Sequence, residues 1–113
     1  MHELSITQSM FDLVLKHAEQ AEAKKVKKIN LVIGEMTGVV RECVQFYLDF
    51  LSKGTVVEGA ALSVEMVPPK ARCRQCGETF QLGEFDWTCT KCGGKSLQVM
   101  AGRELFVESI EVE

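Results

Sequence analysis

The sequence has little of the chemistry from which enzymes build catalytic sites. Only two of its 113 residues are histidines, and one of them is His2. With so few imidazoles, neither a Ser-His-Asp nor a Cys-His arrangement can be assembled. Residues 93–96 resemble the end of a phosphate-binding loop, but Cys89 stands where such a loop needs a glycine, five places before Gly94. We therefore predict that the protein is not an enzyme, and that any nucleotide hydrolysis in its pathway is carried out by a partner.

Long apolar runs and an excess of basic residues are also missing. No stretch of about 18 apolar residues occurs, so the sequence predicts no membrane span. The formal net charge is −3 at pH 7 and there is no basic tail, so the field of the whole chain does not favour binding to a phosphate backbone. The chain opens on Met-His-Glu without an apolar signal segment, which indicates a cytoplasmic protein with reduced thiols. We expect neither a membrane nor a nucleic acid among its partners.

Four of the five cysteines form two closely spaced pairs. Each pair reads Cys-x2-Cys-Gly, and twelve residues separate the pairs. This spacing suits a tetrahedral zinc site, because each tight turn supplies two thiolates and the intervening hairpin brings the turns together. The glycines that follow, Gly77 and Gly93, allow a positive φ that aims backbone N–H groups at the sulfurs. The pattern predicts a structural Zn(II) with four ligands, Cys73, Cys76, Cys89 and Cys92.

Other uses of paired cysteines fit the sequence less well. A rubredoxin-type iron site also uses Cys-x2-Cys-Gly turns, but its pairs are usually much further apart. A redox dithiol needs one reactive pair near the start of a helix, whereas both pairs here share one hairpin. Disulfides are disfavoured in a reducing compartment. The fifth cysteine, Cys43, is surrounded in the sequence by apolar and aromatic residues and is expected to be a buried core thiol.

The first two thirds of the chain alternate between helical and extended patterns. Apolar residues recur every three or four positions in residues 4–23, which predicts a first helix. Residues 27–33 alternate as a strand is expected to. A second helix of about a dozen residues is expected before Gly54. Residues 61–67 then predict a second strand, which ends at Pro68 and Pro69 because neither proline can donate to a ladder.

After the cysteines, residues 97–100 and 105–112 are extended again, and a phase shift near Ser109 is typical of a β-bulge. We therefore predict an α+β fold, a small α/β two-layer arrangement with two helices packed on a sheet of about three strands. A zinc-ribbon-like module with the four cysteines is expected as an insertion. We divide the chain into an α/β domain, residues 1–67 and 97–113, and a zinc-binding domain, residues 68–96.

The N-terminus carries a second set of metal-binding groups. We expect Met1 to be retained, because His2 is too large to favour removal of the initiator. The chain then starts with a free amine, the His2 backbone amide and the His2 imidazole, which are adjacent in the covalent order of a chelate. An in-plane set of nitrogen ligands is the geometry that Ni(II) and Cu(II) prefer. Alone this pattern is only suggestive, because a histidine at position 2 also occurs by chance.

Four segments occur together in a distinctive combination. They are Met-His-Glu-Leu-Ser at positions 1–5, Ile-Gly-Glu at 33–35, Gly-Thr-Val-Val-Glu-Gly-Ala at 54–60, and the four cysteines in their order. In these segments, and up to its closing Ser-Ile-Glu-Val-Glu, the chain resembles the HypA family. These proteins are nickel metallochaperones of NiFe-hydrogenase maturation.

The resemblance implies a nickel carrier that also holds a structural zinc. It implies that nickel is bound through Met1 and His2, with Glu3 contributing its backbone or its side chain, and that zinc is bound by the four cysteines. It also implies delivery of nickel, together with a HypB-type GTPase, to the large subunit of the hydrogenase. Some relatives also serve urease, which adds urease maturation proteins to the expected partners. A further carboxylate near the second helix would be Glu35 or Glu42, and the sequence does not choose between them.

The alternative function is a zinc-ribbon module that binds nucleic acid or a protein complex. Around the cysteines five basic residues outnumber three acidic ones, and Phe80, Phe85 and Trp87 are interleaved among them. The basic residues are Lys70, Arg72, Arg74, Lys91 and Lys95. Four thiolates on one Zn(II) add about two negative charges, which cancels this excess. The nickel carrier is therefore the preferred interpretation.

Overall fold

The chain folds into two helices and two small β-sheets. The computed structural model describes residues 3–83 and 87–113, so Met1, His2 and Phe85 lie outside the described residues. In chain order the elements are α1 (Glu3–Gln20), β1 (Val26–Gly34), a short 3-10 helix (Glu35–Thr37), α2 (Arg41–Leu51), β2 (Ala61–Val67), β3 (Lys70–Cys73), β4 (Thr79–Gln81), β5 (Leu97–Ala101) and β6 (Leu105–Val112). The predicted α+β fold is confirmed. None of the described helices is both long and apolar enough to cross a bilayer.

The first sheet has three strands in the order β2-β1-β6. β1 pairs in parallel with β2 and antiparallel with β6, so that Leu31 lies between Val64 and Val107. The register between β1 and β6 shifts by one residue at this point. Asn30 faces Ser109, whereas the next residue, Leu31, faces Val107. This shift is the β-bulge that the sequence pattern predicted near Ser109.

Both helices contribute to one apolar core on the first sheet. The largest fully buried apolar side chains include Val14 of α1, Val44 and Leu48 of α2, and Ile29 and Ile33 of β1. On each helix the buried residues recur at three or four positions, which places them on one face. The core therefore lies between the helices and β1, the central strand.

The prediction of a buried Cys43 is wrong, because this thiol is exposed on α2. The α2 residues that reach the core are Val44 and Leu48, four positions apart. Cys43 lies one position before Val44, and a step of one residue on a helix rotates a side chain by about 100°. A run of apolar residues made the whole turn look buried, although only one face of the helix packs against the sheet.

The end of α1 also differs from the prediction, because the helix stops at Gln20 rather than near residue 23. Glu22 adopts a positive φ of 53°. Its N–H donates to Glu19 O at 3.0 Å, and the N–H of Ala23 donates to Ala18 O at 2.9 Å. These two bonds form a Schellman motif, in which the left-handed position is usually glycine. The helix thus ends without the glycine that would have marked its end in the sequence.

The second sheet has the order β4-β3-β5 and carries the cysteines. β3 pairs antiparallel with both neighbours, and Cys73 at its end faces Leu97 of β5. The division of the chain at residues 68 and 96 stays a prediction. β5 lies just beyond its second boundary and is hydrogen-bonded to the cysteine-bearing β3.

The two sheets meet where the backbone of Gly34 crosses the backbone of Gly102. A Cβ atom on Gly34 would overlap the carbonyl group of Gly102 and would lie 2.6 Å from the Arg103 nitrogen. Gly34 has an ordinary φ of −75°, so the contact rather than the backbone angle requires glycine here. Gly102 O also accepts a hydrogen bond from the Met36 N–H at 2.8 Å.

Candidate metal centre

The four paired cysteines converge at one end of the second sheet. Their sulfur atoms all lie within 4.8 Å of one another, with Sγ distances of 3.6 Å between Cys73 and Cys92 and 3.5 Å between Cys76 and Cys89. Tetrahedral coordination with Zn–S bonds of about 2.3 Å separates the sulfurs by about 3.8 Å. The donor set therefore fits a tetrahedral Zn(II). Among the residues that the structure describes, no other group of three or more His, Cys, Asp or Glu side chains is arranged to hold a metal.

Two similar turns hold the cysteines in place. The N–H of Gly77 donates to Cys73 O at 2.9 Å, and the N–H of Gly93 donates to Cys89 O at 3.0 Å. Both glycines have positive φ, 79° and 74°, which confirms the conformation predicted for them. A glycine can adopt this angle without steric cost, so the backbone of each turn is held by its own hydrogen bond.

Backbone N–H groups also point at the sulfur of Cys89. Cys92 N–H donates to this sulfur at 3.5 Å and Lys91 N–H at 3.4 Å. These two donors lower the pKa of Cys89 to about 6, because they stabilise its thiolate. Cys92 behaves in the opposite way: the Gly94 amide lowers its pKa, but the neighbouring Cys73 and Cys89 sulfurs outweigh that effect and raise it to about 12. Four thiolates this close would repel one another, and a bound cation would offset that repulsion.

Outside the cysteine cluster, Glu3 joins the start of α1 to the start of α2. Its side chain is 7% exposed, and its Oε2 accepts a hydrogen bond from the Val40 N–H at 3.4 Å. Val40 is the N-cap residue of α2, where the helix dipole favours a carboxylate. The residue next to His2 in the sequence therefore lies beside the first turn of α2.

The two further candidate carboxylates lie close to this region in the sequence. Glu35 is in the 3-10 helix and Glu42 is in the first turn of α2, and both are exposed. The contact between Glu3 and Val40 was not predicted, because the two residues are 37 positions apart and neither shows a pattern that pairs it with the other. Because Glu3 contacts the N-cap residue of α2, Glu42 is the candidate carboxylate that lies on the same helix.

Comparison with known proteins gives one consistent result. Residues 1–112 match the family model described as HypA, hydrogenase/urease nickel incorporation, metallochaperone. The hydrogenase maturation factor HypA of Dehalococcoides mccartyi is 47% identical over 113 residues, covering 100% of this chain and 95% of that protein. The hydrogenase maturation factor HypA of Caldanaerobacter subterraneus is 45% identical over 114 residues and is covered completely, as is this chain.

Solved structures agree with this match. A solution structure of a HypA protein superposes with a TM-score of 0.74 at 25% identity and covers 100% of this chain and 97% of its own. The solution structure of the nickel metallochaperone HypA from Helicobacter pylori has a TM-score of 0.66 at 26% identity, covering 99% of this chain and 97% of its own. Both the sequence and the fold match those of HypA proteins over nearly the whole chain. The chain therefore belongs to the HypA family of hydrogenase/urease nickel-incorporation metallochaperones.

Proposed function

We propose that this protein is a nickel carrier that binds Ni(II) at its N-terminus and delivers it to the large subunit of a NiFe hydrogenase. The observation that carries the proposal is the match of residues 1–112 to a family of nickel-incorporation metallochaperones. A carrier must release its cargo, so the site should be accessible and its affinity moderate. Binding at a chain end, through Met1, His2 and Glu3, meets the first condition.

The geometry around Glu3 suggests how this residue takes part. Its carboxylate is buried and accepts the Val40 N–H, so the backbone nitrogen of Glu3 is the better donor for nickel. Together with the Met1 amine, the His2 amide and the His2 imidazole, it would complete an in-plane set of nitrogens, which Ni(II) prefers. The carboxylate would then act as a positioning group that keeps the start of α1 against α2.

We assign a structural Zn(II) to Cys73, Cys76, Cys89 and Cys92. Bound there, zinc would cross-link the two turns and replace the apolar core that a module of this size lacks. Of the four thiols, two are buried and two are exposed, which suits a closed structural site near the surface. The protein's own contribution is the pair of preformed turns and the amides that stabilise the Cys89 thiolate.

The proposed partners follow from the family. We propose that a HypB-type GTPase takes part in nickel transfer and that the hydrogenase large subunit accepts the nickel. In organisms that also have urease, urease maturation proteins would be further partners. We propose that the protein acts in the cytoplasm, where the four thiols would stay reduced in the absence of a metal.

The proposal is tested by following radioactive nickel from the loaded protein to the metal-free large subunit, with the GTPase and GTP present. Transfer should be faster than from a buffer that holds the same concentration of free Ni(II), because a carrier docks with its acceptor. A His2→Ala variant should lose the advantage. Equal rates from the carrier and from the buffer would contradict delivery by contact.

A further inference from the structure

An open apolar groove runs between α1 and β6, and none of the residues that line it is a proposed metal ligand. Its volume is about 460 Å³. The apolar side chains that line it include Ile6, Met10 and Leu13 of α1, Leu31 of β1, and Leu105 and Val107 of β6. Leu13 is 44% exposed and Leu105 is 37% exposed. A second hollow of about 330 Å³ continues along the same two elements, past Val14 and Ile110. The groove is therefore longer than one side chain and follows the strand.

β6 is also the edge strand of the first sheet. It pairs with β1 on one side, and within residues 3–83 and 87–113 no strand pairs with its other side. An edge strand presents a row of backbone N–H and C=O groups that another extended chain can pair with. Leu105, Val107 and Ile110 belong to this strand and also line the groove or its continuation. A chain added beside β6 would thus place alternate side chains next to apolar surface.

The charges along β6 indicate what kind of chain would fit. Glu108 and Glu111 lie in the strand, and Glu104 and Glu113 flank it. Glu111 has one basic neighbour, Lys28, at 3.9 Å. A second copy of this strand would bring a matching set of carboxylates alongside, and like charges across a strand pair are destabilising. An incoming chain with basic side chains would instead meet opposite charge.

We propose that β6 and the groove bind an extended segment of another protein, one in which apolar and basic side chains alternate, as a fourth strand of the first sheet. Apolar side chains of the segment would enter the groove against Leu13 and Leu105. Basic side chains would lie on the other face, near Glu111. Glu108, which lines the second hollow, would add a further negative charge beside the incoming chain. This function goes beyond the carriage of nickel and does not depend on the metal, because none of these residues is among the proposed ligands.

A synthetic peptide of about ten residues with alternating valine and lysine is the probe, because this is the length of a strand. Added to the zinc-loaded protein, it should protect the outward amides of β6 from hydrogen exchange. The matched peptide with glutamate in place of lysine should not bind. A version methylated on alternate backbone nitrogens should also fail, because it lacks the donors that pair with a strand edge.

Two leucines of α1 give a matched pair of variants. Leu13→Gln places a polar amide in the groove without adding a charge and should weaken binding of the lysine peptide by about tenfold. Leu4→Gln should leave binding unchanged, because Leu4 is similarly exposed, at 48%, but does not line the groove. Glu108→Lys should also weaken binding, and added salt should reduce the affinity, because exposed charges are screened.

Three results would overturn the proposal. The first is no protection of β6 at millimolar lysine peptide. The second is equal binding of the glutamate or methylated peptides. The third is protection of β6 that appears when the protein is concentrated without any peptide, which would assign the edge to a second copy of the chain.

Discussion

The five cysteines of this chain lie in two kinds of surroundings, which decide what each thiol can do. Four have sulfurs within 4.8 Å of one another, and backbone amides stabilise at least one thiolate among them. Cys43 is exposed on α2, outside this cluster. The spacing of the four cysteines predicted this cluster, because each Cys-x2-Cys turn brings two sulfur atoms together. It could not predict the exposure of Cys43, which depends on how α2 is rotated against the sheet.

Replacement of one clustered cysteine should remove the zinc. In Cys76→Ala, three sulfurs remain, and the coordination energy that holds the two turns together falls. Structural zinc contributes roughly 10–16 kcal/mol in small modules, so the second sheet should lose its protection from hydrogen exchange. Cys43→Ala is the control and should keep its zinc. A Cys76→Ala protein with a full equivalent of zinc and a protected β3 would refute the assignment.

Glu22 is the one described non-glycine residue with a positive φ, so a substitution at this position can raise the stability of the protein. Glu22→Gly should raise the free energy of unfolding by about 1 kcal/mol, because glycine adopts the left-handed conformation without the Cβ contact. Glu19→Gly, in the last turn of α1, should lower it by about 1 kcal/mol. Urea unfolding of the zinc-loaded proteins measures both. An unchanged or lowered stability of Glu22→Gly would mean that the left-handed position is not strained.

At the scale of elements, patterns of local origin were predictable and pairings between distant segments were not. β2 spans Ala61–Val67, as the alternating pattern of its residues and the two following prolines predicted. The phase shift in the apolar pattern near Ser109 likewise predicted the bulge in β6. β3 has only four residues, too few for a period to be recognised. Its pairing with β5 depends on the closing of the cysteine hairpin, which no local pattern encodes.

The crossing of Gly34 and Gly102 brings two backbone segments into close contact where the sheets meet. In Gly34→Ala the added Cβ would overlap the carbonyl group of Gly102, and relief of that overlap must separate two backbones. We expect a loss of about 3 kcal/mol in unfolding free energy. Gly54→Ala is the control, because Gly54 has a φ of 78° and open space around it. It should lose only about 1 kcal/mol, and equal losses would show that the crossing is not tight.

At the scale of the whole molecule, the sequence predicted two metal sites by different means. The prediction of a zinc site followed from spacing alone, whereas the prediction of a nickel site needed the resemblance to a family, since a histidine at position 2 also occurs by chance. Physical reasoning could not reveal that Glu3 contacts Val40, because that contact is set by the packing of α1 against α2. The proposed metal sites thus lie in different parts of one chain.

The affinity for nickel should depend on pH. Ni(II) competes with protons for the N-terminal amine and for the His2 imidazole, whose reference pKa values are about 7.7 to 8.0 and about 6.5. Both groups become protonated as the pH falls from 8 to 6, which alone should lower the affinity by about a hundredfold, and each backbone amide that must ionise to bind nickel makes the drop larger. Calorimetric titrations at the two pH values measure this. The same affinity at both would exclude this pair of ligands.

The central claim is that nickel binds at the start of the chain, and one titration tests it most directly. Ni(II) is added to zinc-loaded protein that begins at Met1, to His2→Ala, and to a version extended before Met1, while the d-d absorption band and the stoichiometry are recorded. We predict one equivalent of nickel for the first protein and none at this site for the other two. Nickel binding that survives both changes would contradict the N-terminal chelate and would place the cargo elsewhere on the molecule.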